Sequence, residues 1–292
     1  MSERFHRKRG IAKSIRRIAI AEIDAALAAI REGSGDDAEA IHAVRQQLKR
    51  LRALIRLPHR QFPAYRDENT AFRDLGRKLA HTRDADVLGD TFDGVAEAAS
   101  LPDAAGIRRR LRDAAADQAG PSDRRELLDG EITAGLLEAR RRAARWQFEG
   151  KGLALLGGGL RQVYKAMRAD EAIAAQAPNA ANFHEWRKQT KYHAAQLALL
   201  RAVAPKIFKG YRKIADKLGS TLGDHHDLDV LVSAVNRLDD LAEQDRGQLI
   251  EAIRHRNAEL EGKAFRLGDE LTAERPDDFL RRIEAGWKSW RK

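Results

Sequence analysis

IHAVRQQLKRLRALIRL, residues 41–57, spaces its apolar and basic positions with the period of a helix. At about 100° per residue, His42, Arg45, Lys49, Arg52 and Arg56 fall within an arc of roughly 80°. Val44, Leu48, Leu51 and Ile55 take the neighbouring arc. The segment therefore predicts an amphipathic helix that turns one face to a core and carries a cationic ridge beside it. A solvated helical face usually mixes signs in neighbouring pairs. This ridge holds no acid from His42 to Arg56, and segregated positive charge of that kind suits a linear polyanion.

The pattern recurs. FHEWRKQTKYHAAQLALL, residues 183–200, sets His184, Arg187 and Lys191 against His42, Arg45 and Lys49 at an offset of 142 residues. A second block, LGRKLAHTRDADVL (75–88), aligns without gaps on LGSTLGDHHDLDVL (218–231) at an offset of 143. Both offsets lie near half of the 292-residue chain, which predicts an internal duplication into similar halves, residues 10–147 and 151–292, within one domain spanning 1–292. The segment FEGKG (148–152) is the expected junction.

Composition sets the class. Alanine, leucine, arginine and glutamate dominate, prolines number 7, and alternating β-branched runs are scarce, so the expectation is an all-α chain of two pseudo-symmetric antiparallel helical bundles. The absence of cysteine excludes disulfides and thiolate metal sites. Without an apolar run near ~18 residues, and with a polar opening MSERFHRKRG, the expected location is the cytoplasm. The net charge is +10, and residues 1–60 hold 14 Lys or Arg against 7 Asp or Glu. Helices are predicted near 11–31, from Asp36 or Asp37 to Pro58, and near 64–81, 84–99, 103–118 and 122–147. In the second half they are predicted from about 155 to a break at 177–179, through the second stripe to an end at Pro205, and near 206–222, 226–241, 244–265 and 276–289.

These motifs resemble those of the CHAD proteins, whose name stands for conserved histidine alpha-helical domain. Their HxxRxxx[KR]RLR pattern is met by His42, Arg45, Lys49, Arg50, Leu51 and Arg52, and HEWRKxxK by His184 through Lys188 with Lys191. A leucine-glycine helix ending in a basic residue and aspartate is met by Arg83-Asp84 and His226-Asp227. The resemblance covers the chain from about Arg16 to the last helix. It implies paired helical bundles whose basic helices form a positively charged central groove that binds inorganic polyphosphate. Granule proteins, and a place on polyphosphate or storage granules, are implied with it. The triphosphate-tunnel domain to which some members are fused has a strand pattern that this sequence lacks, so its hydrolase activity is not implied; neither catalysis nor a cofactor is expected.

The chemistry of the ligand agrees with that implication. Polyphosphate carries about one negative charge per phosphate and no base, so its reader needs a track of cations rather than the stacking platforms of single-stranded nucleic-acid binders. Aromatic content is only 6%. The expected path runs through Arg45, Lys49, Arg52 and Arg56 to Arg187, Lys188 and Lys191, with arginine forks and lysine point charges on phosphate oxygens. Arg161, Lys165 and Arg168, spaced on one face of the preceding helix, and Arg16 with Arg17 form a second tier. His42 and His184 are candidates to donate to phosphate or to make structural hydrogen bonds at their helix starts. His193 stands at the position of Leu51 and is expected in the core, as is Trp186.

Two other readings compete. Asp224, His225, His226, Asp227 and Asp229, or His81 with Asp84, could hold a divalent metal or support metal-dependent phosphate processing, although Arg83 stands where His226 does. The basic charge alone would also permit nonspecific nucleic-acid binding.

Overall fold

A computed structural model describes residues 5–33, 37–79, 84–119 and 124–292. It is all-α, with no strand among the described residues. α1 (Ile11–Glu32) buries Ile15, Ile18 and Ile23 at helical spacing and packs on α2 (Asp37–Arg56), the first stripe helix. Asp37 and Glu39 place acid at the positive end of α2; Asp36, the other predicted start, lies outside the described residues. α3 (Tyr65–Lys78), α4 (Asp84–Ala99) and α5 (Ala104–Ala119) follow, and Asp103 caps α5 by accepting from Gly106 N at 2.9 Å. The predicted helix at 122–147 is α6 (Arg124–Leu127), a π turn over Leu128–Ile132 and α7 (Thr133–Ala144).

The chain is then non-helical through 145–153, where Gly150 (φ 106°) and Gly152 (φ 59°) adopt left-handed backbone. Arg16 donates to the Trp146 carbonyl at 2.7 Å and Glu149 N to the Gln61 carbonyl at 2.8 Å, so this junction is tied to the first half.

The second half consists of α8 (Ala154–Gln176), α9 (Ala180–Leu200), α10 (Pro205–Val235), α11 (Glu243–Thr272) and α12 (Pro276–Arg291). Asn179 caps α9 by accepting from Asn182 N. Three boundaries differ from the sequence expectation, one being the end of α11, which runs to Thr272 instead of stopping near 265. Pro205 opens α10 instead of ending the stripe, as proline is suited to do at a first helical position. The helices predicted at 206–222 and 226–241 form one 31-residue helix, since nothing between Leu222 and His226 breaks it.

Equivalent segments pack in equivalent ways. α2 packs on α1 and α9 on α8, while the two stripe helices pack on each other. The α4–α5 pair of the first half packs on α10 and α11 of the second. This arrangement is consistent with duplication. Most helices share one core, and Leu88, Phe92, Ile107, Leu231, Val235 and Ile253 belong to a second core built from both halves. Among the described residues no helix is long and apolar enough to cross a membrane.

A close approach fixes where α2 ends. A Cβ on Gly159 of α8 would lie 2.1 Å from the Arg56 carbonyl oxygen and 2.3 Å from that of Leu57, so only glycine lets the two backbones meet. That contact places the last turn of the first stripe beside α8 and α9.

Candidate anion-binding surface

On α2 the apolar arc is buried as the wheel predicts: Val44, Leu51 and Ile55 are inaccessible and Leu48 nearly so. The ridge beside it is half-buried, with Lys49 exposed. Arg52 Nε donates to Asn69 Oδ1 at 3.2 Å. Arg56 donates to the Tyr65 hydroxyl and, at 3.4 Å, to the same Asn69 oxygen, both on α3. From α9 comes Tyr192, whose ring lies 3.9 Å from the Arg56 guanidinium carbon and 6.0 Å from that of Arg52. Tyr192 also packs with Ala53 and Val163, seating α9 on α2.

These partners are amides, phenols and a ring, so they fix the two forks without cancelling their charge. Burial holds Arg52 below the ordinary guanidinium range, and the Arg56 and Arg73 cations add to this against the opposing Tyr192. Elsewhere arginines meet carboxylates: Arg140 meets Asp24, Arg142 meets Glu68, Arg108 meets Asp93 and Arg125 meets Asp129. Concentrated cations held by neutral groups create a local positive field that an anion can neutralise.

The stripe copies differ because α3 ends where α10 continues. Arg45 donates to the carbonyl of Leu79, the C-cap of α3. The equivalent Leu222 sits within α10, whose own ladder engages its carbonyl. Arg187 lies instead against Gly223, where a Cβ would be 3.7 Å from its Nε. That Nε is buried and has no hydrogen-bond partner among the described residues. Burial lowers the pKa of Arg187, opposed by Asp227 and Asp224. Lys191 is exposed, and its stem runs past Gly219. Lys188 is ion-paired with Glu185 one turn back.

His184 is exposed at the start of α9, and its ring centroid lies 5.0 Å from that of His226 on α10. Burial pushes His226 down to about 4, helped by Arg187 and His184, and burial followed by Arg187 also lowers His184. His226 is therefore neutral at pH 7 in the unliganded protein. The counterpart of His184 in the first copy, His42, approaches Gln46 at 3.4 Å.

The second tier is largely committed elsewhere. Arg168 donates to the carbonyls of Thr272 and Glu274 at the C-terminal end of α11. Arg161 forms a two-point pair with Asp277 of α12. Arg16 holds the Trp146 carbonyl, Arg17 is half-buried on α1, and Lys165 is exposed on α8. Tyr65, Asn69, Tyr192 and His226 were not in the predicted path; the i, i+4 spacing of Tyr65 and Asn69 was the available signal for two polar groups facing one neighbour.

His193 is fully buried between Tyr164 and Phe279, at 5.4 Å from each ring, and desolvation drives it to about 3. Trp186 is likewise inaccessible. His225 is a structural histidine: Nε2 lies 3.1 Å from Glu261 and Nδ1 3.3 Å from Asp229. Burial alone would lower its pKa, but the two carboxylates more than offset this and raise it. Among the described residues no three His, Asp or Glu side chains gather as metal ligands. His81 and Arg83 lie outside the described residues.

The geometry has counterparts among known proteins. The crystal structure of the CHAD domain from the plant Ricinus communis aligns over 99% of this chain and 95% of its own, at 24% identity and a TM-score of 0.57. PptA from Streptomyces chartreusis aligns over 90% of this chain and 100% of its own, at 15% identity and a TM-score of 0.61. At these identities the likeness is one of fold. No functionally curated protein matches the chain. The family model described as CHAD domain matches residues 15–236, most of the chain, including both stripes and both leucine-glycine blocks. The chain belongs to the CHAD family.

Proposed function

We propose that this protein binds inorganic polyphosphate along the stripe helices α2 and α9, acting as a binder rather than a catalyst. The observation that carries the reading is the junction of the stripes, where Arg52 and Arg56 are held by the neutral groups of Asn69, Tyr65 and Tyr192 and not by a carboxylate. Arg45, Lys49, Arg187, Lys188 and Lys191 extend the track along the same two helices. A flexible phosphate chain suits it, because every repeat unit offers the same oxygens and charge. The groove between the two halves, a cytoplasmic location and attachment to polyphosphate or storage granules belong to this reading. Granule proteins are its accompanying partners.

The test replaces Arg45, Lys49, Arg187 and Lys191 with alanine and measures long-chain polyphosphate affinity across salt concentrations. A variant that stays helical and melts cooperatively is expected to bind weakly with a shallow salt dependence. Unchanged affinity and slope would remove the stripes from the site.

A further inference from the structure

A cavity of about 400 Å³ opens between α3 and α7, away from the face of α3 that holds Arg52 and Arg56. Its volume is in the range of small-molecule sites. Pro63, Ala64 and the edge of the largely buried Trp146 line it with apolar surface. Trp146 is fixed from three sides: Phe62 packs on it at 5.1 Å, Phe148 meets it edge-on at 6.4 Å, and Arg16 holds its carbonyl. The lining is thus preorganised rather than formed on binding.

The rim is polar and its charges do not cancel. Glu68, 3% exposed, receives both arms of the Arg142 fork at 2.9 and 3.1 Å. Glu138 pairs with Arg141 one turn along α7. Two carboxylates therefore neutralise two guanidiniums. Arg145 is the surplus: it lines the cavity, it is exposed, and no ion pair or hydrogen bond of its side chain is formed among the described residues. Apolar lining beside one surplus guanidinium complements an apolar body bearing one negative charge, which can pack on the lining while its anionic group meets the fork.

We propose that this cavity is a second binding site, for a small organic monoanion with an apolar body. It is independent of the polyphosphate reading, because the first two turns of α3 separate it from the ridge: Tyr65 and Asn69 face Arg56, while Ala64 and Glu68 face the cavity.

The probe is 8-anilinonaphthalene-1-sulfonate, an apolar aromatic monoanion that brightens on leaving water. The folded full chain is titrated with it, with and without saturating long-chain polyphosphate. One saturable site per chain is expected, retained under polyphosphate and weakened by about tenfold or more in Arg145→Glu, the loss of one charge-assisted contact. Arg145 is exposed and caps the end of α7, where an acid opposes the helix dipole, so this variant is expected to stay folded with a melting midpoint only slightly lowered. Ala64→Leu, which adds bulk to the lining, is expected to weaken the probe as well; should it unfold, Arg145→Glu decides alone. Absence of saturable binding, an unchanged affinity in Arg145→Glu, or complete displacement by polyphosphate would overturn the proposal, the last by placing the probe on the ridge.

Discussion

Arg52 and Arg56 offer the sharpest dissection of the ridge, because their charges are uncompensated while that of Arg161 is not. Each cation that neutralises a phosphate on a single-stranded polyanion contributes about −0.7 to the slope of log K against log salt. Six contacts along α2 and α9, leaving out Lys188 because Glu185 already engages it, give about −4.2, so affinity falls about 340-fold from about 50 to about 200 mM salt. Removing both arginines leaves about −2.8, and the same change in salt costs about 50-fold. Arg161→Ala is the matched control, a charge on the neighbouring helix already engaged by Asp277, and it is expected to leave the slope unchanged. The assay is fluorescence anisotropy with end-labelled polyphosphate at five or so salt concentrations, with circular dichroism confirming the fold. If Arg52→Ala/Arg56→Ala keeps the wild-type slope, or if Arg161→Ala flattens it equally, uncompensated charge at the stripe junction is not what holds the ligand.

Three further outcomes follow from particular contacts. Gly159→Ala is expected to destabilise by about 3 kcal/mol, since its Cβ meets backbone oxygens that cannot swing aside. Gly158→Ala, whose Cβ would find only the Arg60 stem at 3.5 Å, is expected to be neutral or to stabilise by about 0.5–1 kcal/mol through helix propensity; thermal melts that rank the two alike would contradict the packing. His193 titrates near 6.5 when unfolded and about 3 when folded, so its burial costs nothing above pH ~6.5 and about 2 kcal/mol by pH ~5. His193→Leu, which restores the residue of the first stripe, is accordingly expected to flatten the loss of Tm on acidification, and an unaltered Tm profile would refute the assignment. His184 and His226 are held below their ordinary pKa in the free protein, and a bound polyanion raises both, so binding takes up protons. Polyphosphate affinity is expected to rise as pH falls from about 7 to about 5, and His184→Ala/His226→Ala is expected to lose that increment; a pH profile identical to wild type would show that neither ring senses the ligand.

Much of the fold was legible because it rests on local patterns. The 3.6-residue period of Val44, Leu48, Leu51 and Ile55 specified which face of α2 is buried, and Asn179 after Pro178 marked the start of α9. The continuity of α10 was hidden by the repeat itself. Asp227 aligns with Asp84, which begins α4, and symmetry suggested a second start there. No local breaker stands between Leu222 and His226, and His225 adds a long-range tie to Glu261 of α11 beside its contact with Asp229 one turn on. The same limit applies to the site. A helical wheel places Arg161 and Arg168 beside the stripe but carries no information about Asp277 or the end of α11, which arrive from more than a hundred residues away. Nor does it show that Tyr192, standing where the first copy has Arg50, adds a ring face that the Arg56 guanidinium covers in place of another charge.

The most direct test of polyphosphate recognition is competition: labelled long-chain polyphosphate bound at near-physiological salt, titrated with RNA and with unlabelled polyphosphate at equal total charge. Polyphosphate is expected to displace the label at far lower charge concentration than RNA, because the ridge offers closely spaced forks and no stacking platform. Equal displacement by the two polymers would contradict a dedicated polyphosphate site and leave a basic surface that any polyanion can occupy.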